Sequence, residues 1–94
     1  MQSIEDNITK ITELIPEPAL YEQLAEECTE LGKAALKMAR ILRNENKTPV
    51  TKEEALANLK EEYTDVVLSA ATVDLNVDTV VAISKMERWV QRNS

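Results

Sequence analysis

Lys60-Glu61-Glu62-Tyr63-Thr64-Asp65-Val66-Val67-Leu68-Ser69-Ala70-Ala71-Thr72-Val73 decides how this chain folds. Its second half is nearly apolar all round, which suits a helix in the middle of a bundle rather than on its rim. Its first half sets two acids, Glu62 and Asp65, at the mouth of that run. On a helix the i, i+3 spacing stacks both side chains on one face. Charge is expensive there, because desolvation disfavours an ionised carboxylate that nothing compensates.

The same arrangement occurs upstream in Ala25-Glu26-Glu27-Cys28-Thr29-Glu30-Leu31, where Glu27 and Glu30 form the i, i+3 pair. Around them Leu24, Cys28, Leu31, Ala35, Met38 and Leu42 make a continuous apolar stripe. At roughly 100° per residue Glu27 borders that stripe, Glu30 lies slightly further round, and Glu26 projects outward. Four carboxylates converging in a small core call for a cation between them. A divalent metal is the simplest candidate. The competing interpretation is that these acids are solvated faces, or partners of Lys33, Lys37 and Lys60.

The rest of the chain organises around these two helices. A first helix is predicted from Ser3, its N-cap, to Ile15, with Glu5 and Asp6 at the positive end of the dipole. Ile4, Ile8, Ile11 and Ile15 form a narrow stripe, either a seam against another subunit or a contact with the chain's own bundle. Pro16 and Pro18 end that helix, and Pro18 starts the second, which runs to about Arg43. Asn44–Val50 is a polar loop. Thr51-Lys52-Glu53-Glu54 is a capping box that opens the third helix, predicted to reach Leu75. Asp78 caps a fourth, to about Arg92. Its apolar side is Ala82, Ile83, Met86, Trp89 and Val90, with Lys85, Arg88 and Arg92 gathered on the other.

The sequence thus predicts a single all-α domain over residues 1–94, a four-helix bundle-like unit. With no Phe and one Gly in 94 residues, the core is thin, and oligomerisation is the natural supplement. The net charge of −6 offers no basic footprint for nucleic acid. No segment has the apolar length to span a bilayer, and Met1–Asp6 lacks the features of a signal peptide. A cytoplasmic location is expected. The lone cysteine, Cys28, is expected to be a small core residue.

All-oxygen ligation favours Mg²⁺, with Mn²⁺ as the alternative, and the absence of His removes the Glu-x-x-His elements of a di-iron bundle. Mg²⁺ typically combines a few carboxylates with water and phosphate oxygens, which suits a nucleoside triphosphate ligand.

From Leu24 to Arg92 the order Glu-Glu-x-x-Glu, polar connection, Glu-x-x-Asp resembles the MazG-like nucleoside triphosphate pyrophosphohydrolases. The resemblance implies Mg²⁺-dependent hydrolysis between the α- and β-phosphates of a (d)NTP, giving a monophosphate and pyrophosphate. It implies Glu27, Glu30, Glu62 and Asp65 as metal ligands and leaves Glu26 to orient the water. Lys33 and Lys85 are the phosphate-binding candidates, and Arg88, Trp89 and Arg92 complete the substrate side. Lys85 and Arg92 follow the family order, whereas Trp89 stands where members often carry Asn. With the thin core and the narrow Ile seam, a homodimer or homotetramer is expected, with neither nucleic acid nor membrane as a partner. Phosphoribosyl-ATP pyrophosphatase is a weaker match, and a non-catalytic helical interaction module is the reading from a different class.

Overall fold

The computed structural model describes residues 2–45 and 50–94. Four helices follow one another: α1 (Ile4–Leu14), α2 (Glu17–Leu42), α3 (Lys52–Thr72) and α4 (Thr79–Arg92). No strand occurs among the described residues, so the all-helical class expected from composition is what forms. None of the helices is long and apolar enough to cross a membrane.

Local chemistry sets the starts. Ser3, Thr51 and Asp78 each accept a hydrogen bond from a backbone N–H three residues on, at 3.0, 3.1 and 3.0 Å. Each bond satisfies one of the orphan donors of a first turn. Pro18 occupies the first turn of α2, where no intrahelical N–H is needed.

The ends follow a different rule. After α2, Glu45 N–H donates to the Arg40 carbonyl at 2.8 Å and Asn44 N–H to that of Ile41 at 3.0 Å. After α3, Leu75 N–H donates to the Ala70 carbonyl at 3.0 Å and Asp74 N–H to that of Ala71 at 3.1 Å. Both pairs are Schellman closures, and both place a non-glycine residue in the left-handed region, Asn44 at φ 58° and Asp74 at φ 56°. The second closure stops α3 at Thr72, short of the Leu75 expected from its apolar pattern. Of the loop between α2 and α3, residues 46–49 lie outside the described residues.

Packing is dominated by α2 against α3, which run antiparallel, with α1 laid on α3. Although α3 is touched by both α1 and α2, none of residues 66–73 is buried, and Val67 and Leu68 are 46% and 40% exposed, so one chain covers the apolar run only in part. Leu20, Ala34 and Ala55 are the buried apolar residues along the α2–α3 line. The Ile seam of α1 faces its own chain: with Leu20 and Leu68 it lines an apolar groove of about 480 Å³.

Two expectations need correction. The buried line of α2 passes through Leu20, Leu24, Glu27, Leu31, Ala34 and Met38, leaving Cys28, Ala35 and Leu42 exposed. Cys28 is thus a surface thiol rather than a core residue. The apolar arc of α2 is wider than one helix contact, and α3 covers its Ala34 side rather than its Ala35 side. The second correction concerns α4. It packs on no other helix to a comparable extent and buries none of its residues. Within one chain the packed unit is α1–α3.

Candidate metal centre

Glu27 comes from the middle of α2, and Glu62 and Asp65 from the middle of α3. Because the helices are antiparallel and closely packed, the two motifs fall at the same height. One carboxylate oxygen from each of these three residues lies within 4.8 Å of the others. Glu27 and Glu62 are half-buried and Asp65 is exposed, so the cluster opens to solvent at the edge of the α2–α3 seam.

The electrostatics are those of like charges held together. The Glu62 carboxyl titrates above its usual value near 4.5, chiefly because partial burial strips water from it. Asp65, Glu30, Glu27 and Glu61 then push in the same direction by repulsion. Desolvation and like charge both favour the neutral form, and a cation at the centre would reverse both effects.

Of the four expected ligands, the fold brings three together. Glu30 is near enough to repel Glu62, but its nearest cation is Lys33, one turn along, at 3.5 Å. That pair is largely solvated and of little energetic consequence. Lys33, expected on the substrate phosphates, stands beside Glu30. Glu26 lies exposed on the outer side of α2, away from the three-carboxylate cluster. Lys85, Arg88, Trp89 and Arg92 border an open recess formed by α4 alone, together with Gln91. Since α4 does not pack on the hairpin, one chain does not bring these cations onto the carboxylates.

Gln23 is a component the sequence pattern did not single out. Its Nε2 donates to Glu27 Oε1 at 2.7 Å, one turn earlier on α2. The bond leaves Glu27's other oxygen free of this contact and fixes the carboxylate's orientation. The signal was present in the i−4 spacing of a Gln before the inner Glu. Gln23 also lines the apolar groove between α1, α2 and α3, so groove and cluster are contiguous.

The donor set is chemically coherent: three carboxylates, all oxygen, no imidazole in the chain, and open access for water or phosphate oxygens. No family model, no curated protein and no solved structure matches this chain.

Proposed function

We propose that this chain is a Mg²⁺-dependent nucleoside triphosphate pyrophosphohydrolase, converting a (d)NTP to a (d)NMP and pyrophosphate. The observation that carries the reading is the convergence of Glu27, Glu62 and Asp65 from two separate motifs, with Glu62 held in a state that a cation would relieve. The order of those motifs resembles the MazG-like enzymes, which supplies the reaction class.

Glu27, Glu62 and Asp65 would hold the ion, with Glu30 joining when released from Lys33. Bound there, a divalent ion supplies neutralisation of the phosphate oxygens and acidification of water. The chain's own part is positional. Gln23 orients Glu27, the helical seam fixes the spacing of the acids, and the open side admits a polyphosphate. In the hydrolysis, water oxygen bonds to the α-phosphorus. The bridging oxygen leaves with pyrophosphate, and the water proton passes to solvent or a nearby carboxylate. The chain has one Gly and no glycine-rich loop, so the terminal phosphates are held by ion and side chains rather than by a backbone cradle. A homodimer or homotetramer is the working form.

The test is product analysis. A panel of NTPs and dNTPs incubated with Mg²⁺ and separated by anion exchange should yield monophosphate and pyrophosphate. Diphosphate and orthophosphate as the main products would overturn the choice of bond. The non-catalytic interaction module draws support from the exposed apolar surface of α3 and α4, and no turnover of any nucleotide would favour it.

A further inference from the structure

The groove between α1, α2 and α3 continues the carboxylate cluster along the same two helices. Gln23 stands one turn before Glu27 on α2, and Ser69 one turn after Asp65 on α3. Because the helices are antiparallel, both steps lead the same way along the seam, by about 5–6 Å. Leu20 and Thr72 lie about one turn further. A nucleotide with its phosphates at the cluster would reach the groove across its own sugar. The groove also has the character of a small-molecule site, about 480 Å³ and mostly aliphatic, with four polar side chains. Ile4, Ile15 and Leu68 on its walls are 62%, 40% and 40% exposed, so one chain leaves it open. Among the described residues no aromatic ring lines it, so a base has no ring to stack on. Its faces would meet Ile side chains, and its edge would decide how well it is held.

The polar groups of the groove are mostly acceptors. Asn7 Nδ2 donates to the Ser3 carbonyl at 3.0 Å, and Gln23 Nε2 donates to Glu27 Oε1 at 2.7 Å. Both partners can only accept, which fixes the nitrogen of each amide on that side. The second proton of each amide stays on that bound nitrogen, and the free ends are Asn7 Oδ1 and Gln23 Oε1. Thr72 Oγ1 donates its proton to the Ser69 carbonyl at 2.6 Å, so toward a ligand it too can only accept. The Ser69 hydroxyl can act either way.

We infer that the groove receives the base of the nucleotide, and that Asn7 and Gln23 select an amino group at C4 of a pyrimidine or C6 of a purine. Cytosine and adenine carry that amino group, whereas thymine, uracil and guanine carry a carbonyl oxygen in its place. An amino group donates to the free amide oxygens. A carbonyl oxygen set against them leaves both sides unpaired, which is how a polar site rejects a close analogue. The inference rests on the pyrophosphohydrolase reading for the placement of the phosphates, and adds to it the class of substrate.

The test compares dCTP and dATP with dTTP and dGTP in the presence of Mg²⁺. For wild type, kcat/KM should be about tenfold higher for the first two, the worth of one hydrogen bond. Equal values for all four, with pyrophosphate released from each, would leave the hydrolase reading standing and overturn this inference. Binding separates the reverse case, read by calorimetry on α,β-methylene analogues that cannot be cleaved at that bond. The same preference in binding without turnover of any dNTP would uphold the selectivity and overturn the reaction, while no binding at all would overturn both. Asn7 is exposed on α1 and Leu is the better helix former, so Asn7→Leu should fold and bring the ratio of dCTP to dTTP close to one. A ratio left at its wild-type value would overturn the role of Asn7. Ile11→Ala, in the groove wall, should weaken the dCTP analogue by about tenfold but spare inorganic triphosphate, which has no base. An equal effect on the two, or none on either, would place the base elsewhere and overturn the inference.

Discussion

Replacing Glu62 by Gln isolates the metal centre, because the two side chains have the same shape and differ in charge. Glu62 stands within the cluster formed with Glu27 and Asp65, and partial burial and its acidic neighbours raise its pKa. At free Mg²⁺ one hundred times the dissociation constant, one site stabilises the native state by about 2.7 kcal/mol. A chain of 94 residues unfolds with an entropy of about 0.2 kcal/mol/K, so the wild-type Tm should rise by roughly 13 °C. In Glu62→Gln that shift should vanish, while the Tm of the metal-free protein rises, since Gln brings no charge to be desolvated or repelled. The pH dependence follows from the direction of the shift. A carboxyl whose folded pKa exceeds its unfolded value of about 4.5 binds protons more tightly in the native state. Its stabilisation is full below the unfolded value and is lost as pH rises through the folded one. Metal-free wild type should therefore gain stability on acidification from neutrality toward that value, relative to Glu62→Gln. The Mg²⁺-induced shift should shrink over the same interval, because the proton competes with the ion. Differential scanning fluorimetry at fixed protein concentration, with and without Mg²⁺, reads all of this. A Glu62→Gln protein stabilised by Mg²⁺ as much as wild type would refute the assignment of the site.

Gln23→Leu removes the donor to Glu27 and should weaken Mn²⁺ or Mg²⁺ affinity by about tenfold, the cost usual for an outer hydrogen bond to a ligand, measured by calorimetry. Unchanged affinity would mean that Glu27 needs no such orientation. Asp74→Gly relieves a left-handed residue and removes a negative charge from the α3 C-terminus, so stability should rise by about 1 kcal/mol in urea denaturation. Asp78→Ala deletes the α4 cap and should lower helicity by circular dichroism, at a cost of about 1 kcal/mol to that helix. If α4 stays as unpacked as in a single chain, the loss should be confined to it and leave the main unfolding transition in place.

The positions of the helices were legible because their boundaries are written in local chemistry. Ser3, Thr51 and Asp78 cap the helices they were expected to cap, and Pro16 and Pro18 separate α1 from α2. The end of α3 was less so. Apolar periodicity continues to Leu75, but Asp74 takes the left-handed conformation that glycine usually supplies, and a chain with one Gly gives no such cue.

The two acid pairs were equally legible, since i, i+3 spacing is a property of any helix. That Glu27, Glu62 and Asp65 meet, and that Glu30 turns to Lys33, depended on how α2 and α3 are rotated against each other. Sequence left that rotation open because the apolar arc of α2 is broad: both the Ala34 line and the Cys28–Ala35 line could have faced α3. Packing chose the former, which drew Glu27 into the seam and left Cys28 on the surface. The place of α4 is likewise a tertiary matter. Its amphipathic pattern shows that one face wants cover, but not which surface provides it, and a single chain buries none of its residues. Local hydrogen bonding and side-chain period act within a turn or two and can be read along the chain. Helix rotation and partner choice are settled only by the contacts that compete for the same apolar face.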